Sequence, residues 1–483
     1  MILTFTTEAL DGTDNSVTLR FSDTGFSDGL YYYIPRIKNL GYVTISPNDG
    51  GVFSIFNSSS IGEISVINVD NSLDYLEDYA VDGRKCNIGI YGQTPYFYGT
   101  VERMVWSREL ITFRLKSLTE AFSQTHPENK YLGNNVLPLG VEGLVDDIKG
   151  NIKPKSYGTC KQISPVLVNT SKLIYQVSEN TDTSIVAVYE AGSPITPTVG
   201  AEYSSISDME TNAPAAGYWR SYKGYFRFGG STLRTITVDT TSTIKLAGDV
   251  MEQIVVEKGY TMDSVSKSLM NAVGEIGIHK PDSSSTSSLL DRIAKSCGAC
   301  WYFIEEVLYA TPIALATTYA WKLYPYNISK FERIAVGGGS NGLPITKFTL
   351  ECDEVITTQT DLAGAVSTTD KARLAEKFRK ATSDFPAVLT RHPLAEKIEI
   401  VEGCLRTITS AQVVTNRLGN IFKNKLSIIN VTANFTTLPN ILRLFDGIMV
   451  YYDGMGFEGG KIMTITSYSI DVKKKQVELN LIG

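Results

Sequence analysis

The sequence predicts a mainly β protein with some α, built as two strand-rich ends around an inserted all-β module and a small α/β region. Three observations carry this reading. Tyr (26) and Phe (19) are abundant, and with the many Thr, Ile and Val they suit a pleated, half-buried surface. Short apolar–polar alternations recur along the chain, separated by Gly, Asn and Asp turn residues. Helical spacing of apolar residues is confined to stretches in the middle and in the last third.

The bulk properties narrow the classes. At 483 residues the chain is long enough for several domains with well-buried cores. A hydrophobic content of 43% excludes wholesale disorder. Lys plus Arg total 45 against 51 Asp plus Glu, a net charge of −6, which argues against sequence-independent nucleic-acid binding through a surplus of basic groups. No run approaches the length of a membrane-spanning helix. The start, Met1-Ile2-Leu3-Thr4-Phe5, lacks the basic and apolar regions of a secretory signal. Six cysteines are too sparse for a disulfide scaffold. A protein made in the cytoplasm is expected.

Residues 1–155 read as a strand-and-turn meander. Val17-Thr18-Leu19-Arg20-Phe21, Glu63 to Val69 and Ile111 to Leu115 alternate apolar and polar types, as half-buried strands do. Residues 156–245 change texture: Pro165, Pro194, Pro197 and Pro214 punctuate short strands, and Tyr218 to Tyr222 with Tyr225 to Phe228 flank Lys223-Gly224 as a hairpin. This span reads as an inserted all-β module. Residues 246–330 switch to a helical period. Asp263 is placed as an N-cap, and Leu289, Leu290, Ile293 and Ala294 share one helical face that ends at Gly298. Trp301 to Ala310 then spell strand, tight turn and strand. Residues 331–483 return to strands, with a helix near 409–424 and a closing meander from 445 onward.

The motifs favour structure over chemistry. Gly337 to Gly342 and Gly454 to Gly459 match GxGxxG, yet each runs into a strand, whereas a dinucleotide loop must open a helix toward the pyrophosphate. Cys297-Gly298-Ala299-Cys300 spells CxxC at the end of a helix, the wrong end of the dipole for lowering a thiol pKa, and no second ligand pair completes a zinc site. Reduced, buried, replaceable cysteines are expected. His126, His279 and His392 stand in no recognisable catalytic frame. Asp146-Asp147 and Glu305-Glu306 read as solvated turns, because a glycosidase needs carboxylates facing each other across a cleft. The aromatic set Tyr218, Trp219, Tyr222, Tyr225 and Phe226 reads first as cross-strand core and second as a partner surface. No catalytic residue, cofactor or metal is expected.

Several segments, in order, resemble phage tail hub (baseplate hub, tail tip) proteins. They are Asn68 to Asp74 with Val81-Asp82-Gly83-Arg84 and Tyr98-Gly99-Thr100-Val101; the join from Tyr131-Leu132-Gly133 through Ile152 to Gly158 and Pro165 to Val168; Leu173 to Val177 with Gly224 to Phe228; Leu289 to Ala294 with Gly298 and Trp301; and Gly460-Lys461 with a final strand ending in Gly. The chain departs from that pattern at Cys297 and Cys300. The resemblance implies two β-barrel hub domains, at 1–155 and 331–483, flanking the module and the α/β region. It further implies a homotrimer at the virion tail tip that adapts six-fold tube symmetry to three-fold. The implied partners are a distal tail protein, a tape-measure protein, and fibre or spike proteins, with DNA passing the lumen without specific binding. Because the sequence stops at Gly483, a central fibre or a cell-wall hydrolase is expected on a separate chain. The alternatives are a tail-associated enzyme degrading cell wall or capsule, and a receptor-binding tail protein using the hairpin around Tyr222.

Overall fold

The computed structural model describes residues 2–40, 43–53, 62–93, 95, 97–118, 122, 125–197, 202–434, 442–471 and 474–483. The protein is mainly β with some α. The N-terminal residues build a nine-stranded sheet in the order Phe26–Ser27, Tyr32–Pro35, Ser16–Ser22, Leu3–Leu10, Lys85–Ile90, Phe97–Trp106, Leu110–Ser117, Glu63–Ile67, Ile37–Leu40. Its alternation works as the sequence suggests. Phe5 lies opposite Phe21 in register, and both rings meet Phe113 at centroid distances of 5.1 and 5.9 Å.

A second sheet runs Trp321–Leu323, Gly447–Val450, Lys461–Asp471, Gln476–Ile482, Ile428–Asn434, Ile328–Ala335. Val477, Leu479 and Leu481 point inward from Gln476–Ile482, fourth in that order. The two sheets share one apolar core, in which Phe5, Val101 and Phe113 join Ile429, Val431, Ile465 and Leu479. The strand-rich ends of the chain therefore meet. A short N-terminal strand, Val43–Ile45, crosses over and pairs with Tyr468–Ile470 of the second sheet.

The span 331–483 does not form one continuous strand body. Its sheet begins at Trp321, and between Ile345 and Leu426 the chain leaves it. There a three-stranded sheet, Arg379–Asp384, Ile345–Cys352 and Glu396–Ile400, and the helix Ile408–Phe422 join the central core instead. The physical reason lies in burial: Ile345, Phe348, Leu350 and Cys352 are all inaccessible, and periodicity tells strand from helix but not which core a strand enters.

That central core holds the helices Ala247–Val256, Ser264–Asn271 and Thr286–Cys297 and the hairpin Ala299–Ile304 with Val307–Pro312. Local chemistry fixes these elements. Asp263, Ser285 and Thr407 each accept a backbone N–H as N-caps. Gly298 ends its helix in the left-handed region at φ 56°, where a Cβ would lie 2.9 Å from Val414. Among the described residues, no helix is long and apolar enough to cross a membrane.

The inserted module is a sandwich of two four-stranded sheets. One runs Cys160–Ile163, Ile236–Ser242, Thr183–Glu190, Ser193–Ile195, and the other Val166–Asn169, Ile174–Gln176, Tyr225–Phe228, Trp219–Tyr222. Its core contains Ile163, Val188, Trp219, Phe226, Phe228 and Val238. The module's two ends meet, since Cys160 pairs with Thr240 and the Thr159 and Thr241 hydroxyls lie 3.3 Å apart.

Candidate functional site

The five hairpin aromatics divide by strand parity. Trp219 and Phe226 face the module core. Trp219 Nε1 donates to the Ile195 carbonyl at 2.9 Å, and Phe226 stacks on Tyr175 with centroids 5.2 Å apart. Tyr222 and Tyr225 pack on the opposite face, against Tyr131, Tyr203 and Met209, where burial pushes the Tyr225 hydroxyl up to about 12. Tyr218, 39% exposed, presents ring to solvent. The set is thus divided between two cores, and one member remains on the surface.

Cys297 closes its helix and Cys300 opens the next strand. Both are free and fully buried. Burial pushes both thiols well above their ordinary range, so neither is activated as a thiolate. Arg417 Nη2 donates to the carbonyls of Cys297 and Gly298 at 2.5 and 3.0 Å, satisfying the helix C-terminus from outside.

Two of the three histidines form pairings not foreseen from the sequence. His279 Nδ1 lies 3.0 Å from Ser156 Oγ, but Ser156 is fully buried and its hydroxyl also reaches the Val177 carbonyl at 3.3 Å. His126 Nε2 lies 2.5 Å from the Tyr157 hydroxyl, which in turn donates to Glu257 at 3.2 Å. Burial holds both rings down to about 4, so both are neutral near pH 7. Asp146 and Asp147 are exposed, and Glu306 pairs with Lys85 at 2.5 Å. The two glycine-rich loops are turns leading into strands; a Cβ at Gly338 would fall 2.3 Å from the Phe422 ring.

The densest electrostatic constellation stands where the module meets the central core. Asp353, in the left-handed region at φ 51°, receives Arg406 at 2.9 Å, Lys161 at 3.2 Å, Arg373 at 3.3 Å and Arg379 at 3.9 Å. Its neighbour Glu354 receives Arg292 at 2.6 Å. Burial pushes the Asp353 carboxyl up, but Arg406, Lys161 and Arg373 outweigh it and hold the group below its ordinary value. Beside the cluster, Ile356 and Thr357 donate backbone N–H groups to the carbonyls of Lys161 and Gln162. Gln359 Nε2 donates to Gln162 Oε1 at 2.8 Å inside the same seam. These contacts weld the module to the core. Nothing in the sequence marks them, because Asp353-Glu354 stands between Cys352 and Val355 with no basic residue nearby, and its cationic partners come from distant segments.

No protein-family model and no curated protein matches the chain. Among solved structures it is similar to the 43 kDa tail protein of prophage MuSo2 from Shewanella oneidensis. That likeness has 11% identity, covers 100% of this chain and 98% of the other, and has a TM-score of 0.42. It is also similar to the tail protein from Neisseria meningitidis MC58, at 10% identity, 99% and 96% coverage and a TM-score of 0.44. The chain is similar to phage tail proteins. A chain from the virion of a native gene transfer agent particle shows 12% identity, 75% and 91% coverage and a TM-score of 0.43.

Proposed function

We propose that this chain is a structural protein of a phage tail, a tail hub at the distal end of the tail tube. In this reading three copies close a ring at the virion tail tip and adapt a six-fold tube to a three-fold tip. The ring meets a distal tail protein and a tape-measure protein on one side and holds fibre or spike proteins on the other. It takes part in gating genome delivery, and no catalytic residue is assigned.

One observation carries the proposal. The two ends of the chain each build a broad antiparallel-rich sheet, and these share a single core while the middle of the chain is set aside as a helical core and a module. Two comparable sheets per copy are what a trimer needs to present six similar surfaces to a tube. The ordered resemblance along the sequence supports the same reading. The balanced charge, −6 overall, suits a conduit wall that does not grip phosphates.

The test is a cryo-EM map of the assembled tail tip containing this chain. Three copies around the axis, with a lumen not lined mainly by Lys and Arg, are expected. A single axial copy, or a channel wall dominated by basic side chains, would overturn the proposal.

A further inference from the structure

The strand alternation that sends Phe5, Ile88 and Phe97 into the shared core turns Thr6, Asn87 and Tyr98 to the opposite face of the first sheet. These three stand side by side across the strands Leu3–Leu10, Lys85–Ile90 and Phe97–Trp106, because Thr6 is in register with Asn87 and Asn87 with Tyr98. Further along the first of these strands, Glu8 lies opposite Thr18. The tight turn of the central hairpin, with Glu305 at φ 56°, stands against this face. Glu306 of that turn pairs with Lys85 at 2.5 Å, and the Lys85 ammonium lies 5.8 Å from the centre of the Tyr260 ring. Sheet face and turn together border a cavity of about 200 Å³, whose lining includes Thr6, Thr18, Asn87, Tyr98, Lys85 and Glu306.

The lining is rich in groups that both give and accept hydrogen bonds, as threonine and tyrosine hydroxyls and the asparagine amide all do. Among the described residues, the side chains of Thr6, Thr18 and Asn87 and the Tyr98 hydroxyl make no hydrogen bond to protein. Their bonding capacity is open to a ligand. The charged groups are placed differently. Lys85 is engaged by Glu306, so an anion entering the cavity would find its counter-charge taken and would meet Glu8 as well. A cation would meet Lys85. Apolar surface comes from the buried Leu118 and from the ring of Tyr98.

We propose that this cavity binds one neutral sugar ring. Each sugar hydroxyl donates one hydrogen bond and accepts others, matching the two-way character of Thr6, Thr18, Asn87 and Tyr98. The C–H face of the ring suits the flat apolar surface of Tyr98. The carboxylates of Glu8 and Glu306 accept from hydroxyls without requiring charge on the ligand. Burial, and then the charges of Glu305 and Glu306, push the Tyr98 hydroxyl up to about 12, so it stays a donor at neutral pH. The volume falls below the roughly 300–1,000 Å³ of sites for drug-sized ligands, which limits the occupant to a single ring. The site belongs to the first sheet and the central hairpin and needs no second copy of the chain.

Saturation-transfer difference NMR on the full chain, with glucose, galactose and N-acetylglucosamine as probes, tests this. Saturable transfer is expected from at least one of them, with a dissociation constant on the order of 1 mM, as a few polar contacts to a small ligand give. Thr6→Val and Tyr98→Phe each keep the side chain's shape while removing a hydroxyl, and each should weaken binding roughly threefold to tenfold. Tyr218→Ala, on the surface of the module, should leave binding unchanged. The methyl glycoside of the bound sugar separates two sources of the same chemistry: undiminished binding assigns the site to a sugar ending a glycan chain, and lost binding assigns it to a free sugar. Absence of saturable transfer from all three sugars would overturn the proposal. So would binding of inorganic phosphate or ethylammonium in their place, or sugar binding undiminished when Thr6→Val and Tyr98→Phe are combined.

Discussion

Removing the Asp353 carboxylate should be among the most destabilising single changes available in this protein. Four cations converge on it, but they are not equal. The Lys161 and Arg379 side chains are 44% and 49% exposed, so water and salt already screen them and each contributes about 0–1 kcal/mol. Arg406 is different: only 5% of its side chain is exposed, and among the described residues its other guanidinium hydrogen bond goes to the Glu354 carbonyl at 2.9 Å. Asp353→Ala would leave that guanidinium buried without its counter-charge, at a cost of about 3–5 kcal/mol. Replacing both members with apolar residues, as in Asp353→Ala with Arg406→Met, should recover much of the loss. Urea unfolding followed by tryptophan fluorescence reads both numbers, since Trp219 reports on the module and Trp301 on the central core. A cost below 1 kcal/mol for Asp353→Ala, or strict additivity in the double variant, would refute the assignment of Arg406 as the dominant partner.

Cys297→Ala with Cys300→Ala should cost about 1–3 kcal/mol in total as lost core packing and leave zinc content at zero; stoichiometric zinc in the purified native protein would count against it. His279, held down to about 4, should make the protein lose stability as pH falls from about 6.5 toward 4, because the unfolded chain takes up the proton first. The slope approaches 1.4 kcal/mol per pH unit, and urea midpoints of His279→Gln should show a shallower decline; identical slopes would remove His279 as the cause. Deleting residues 160–240 with a short linker should leave a soluble, folded remainder, because Thr159 and Thr241 already touch. Aggregation of the remainder would show that the seam at Lys161 and Gln359 is integral to the core.

Much of the local structure was legible in the sequence. The hairpin around Lys223-Gly224, the cap at Asp263, the face of Leu289, Leu290 and Ile293, and the stop at Gly298 all follow from turn chemistry and periodicity, which act within a few residues. Two things were not legible. Ile345–Cys352 reads as one more strand of the C-terminal end, yet it joins the helical core, because its sheet partners are Arg379–Asp384 and Glu396–Ile400 and it shares that core with the helix Ile408–Phe422. Likewise the Asp353 cluster gathers Lys161, Arg292, Arg373 and Arg406 from four distant segments. Residue pattern fixes what a segment becomes, while the choice of partner depends on long-range packing that leaves no periodic trace.

The crossing of Val43–Ile45 to Tyr468–Ile470 has a bearing on how the molecule is made. The partners are some 425 residues apart, as with Thr44 and Ser469, whose hydroxyls lie 2.5 Å apart. At ordinary synthesis rates of about 5–20 residues per second, the first of these strands waits roughly 20–90 s for the second to emerge. The nine-stranded sheet, the module and most of the helical core can assemble during that interval, while the early strand remains without its neighbour. The late stretch Tyr468–Ile470 is therefore the one that closes this early strand, and polypeptides released before it would carry a ready-made edge for pairing with other chains.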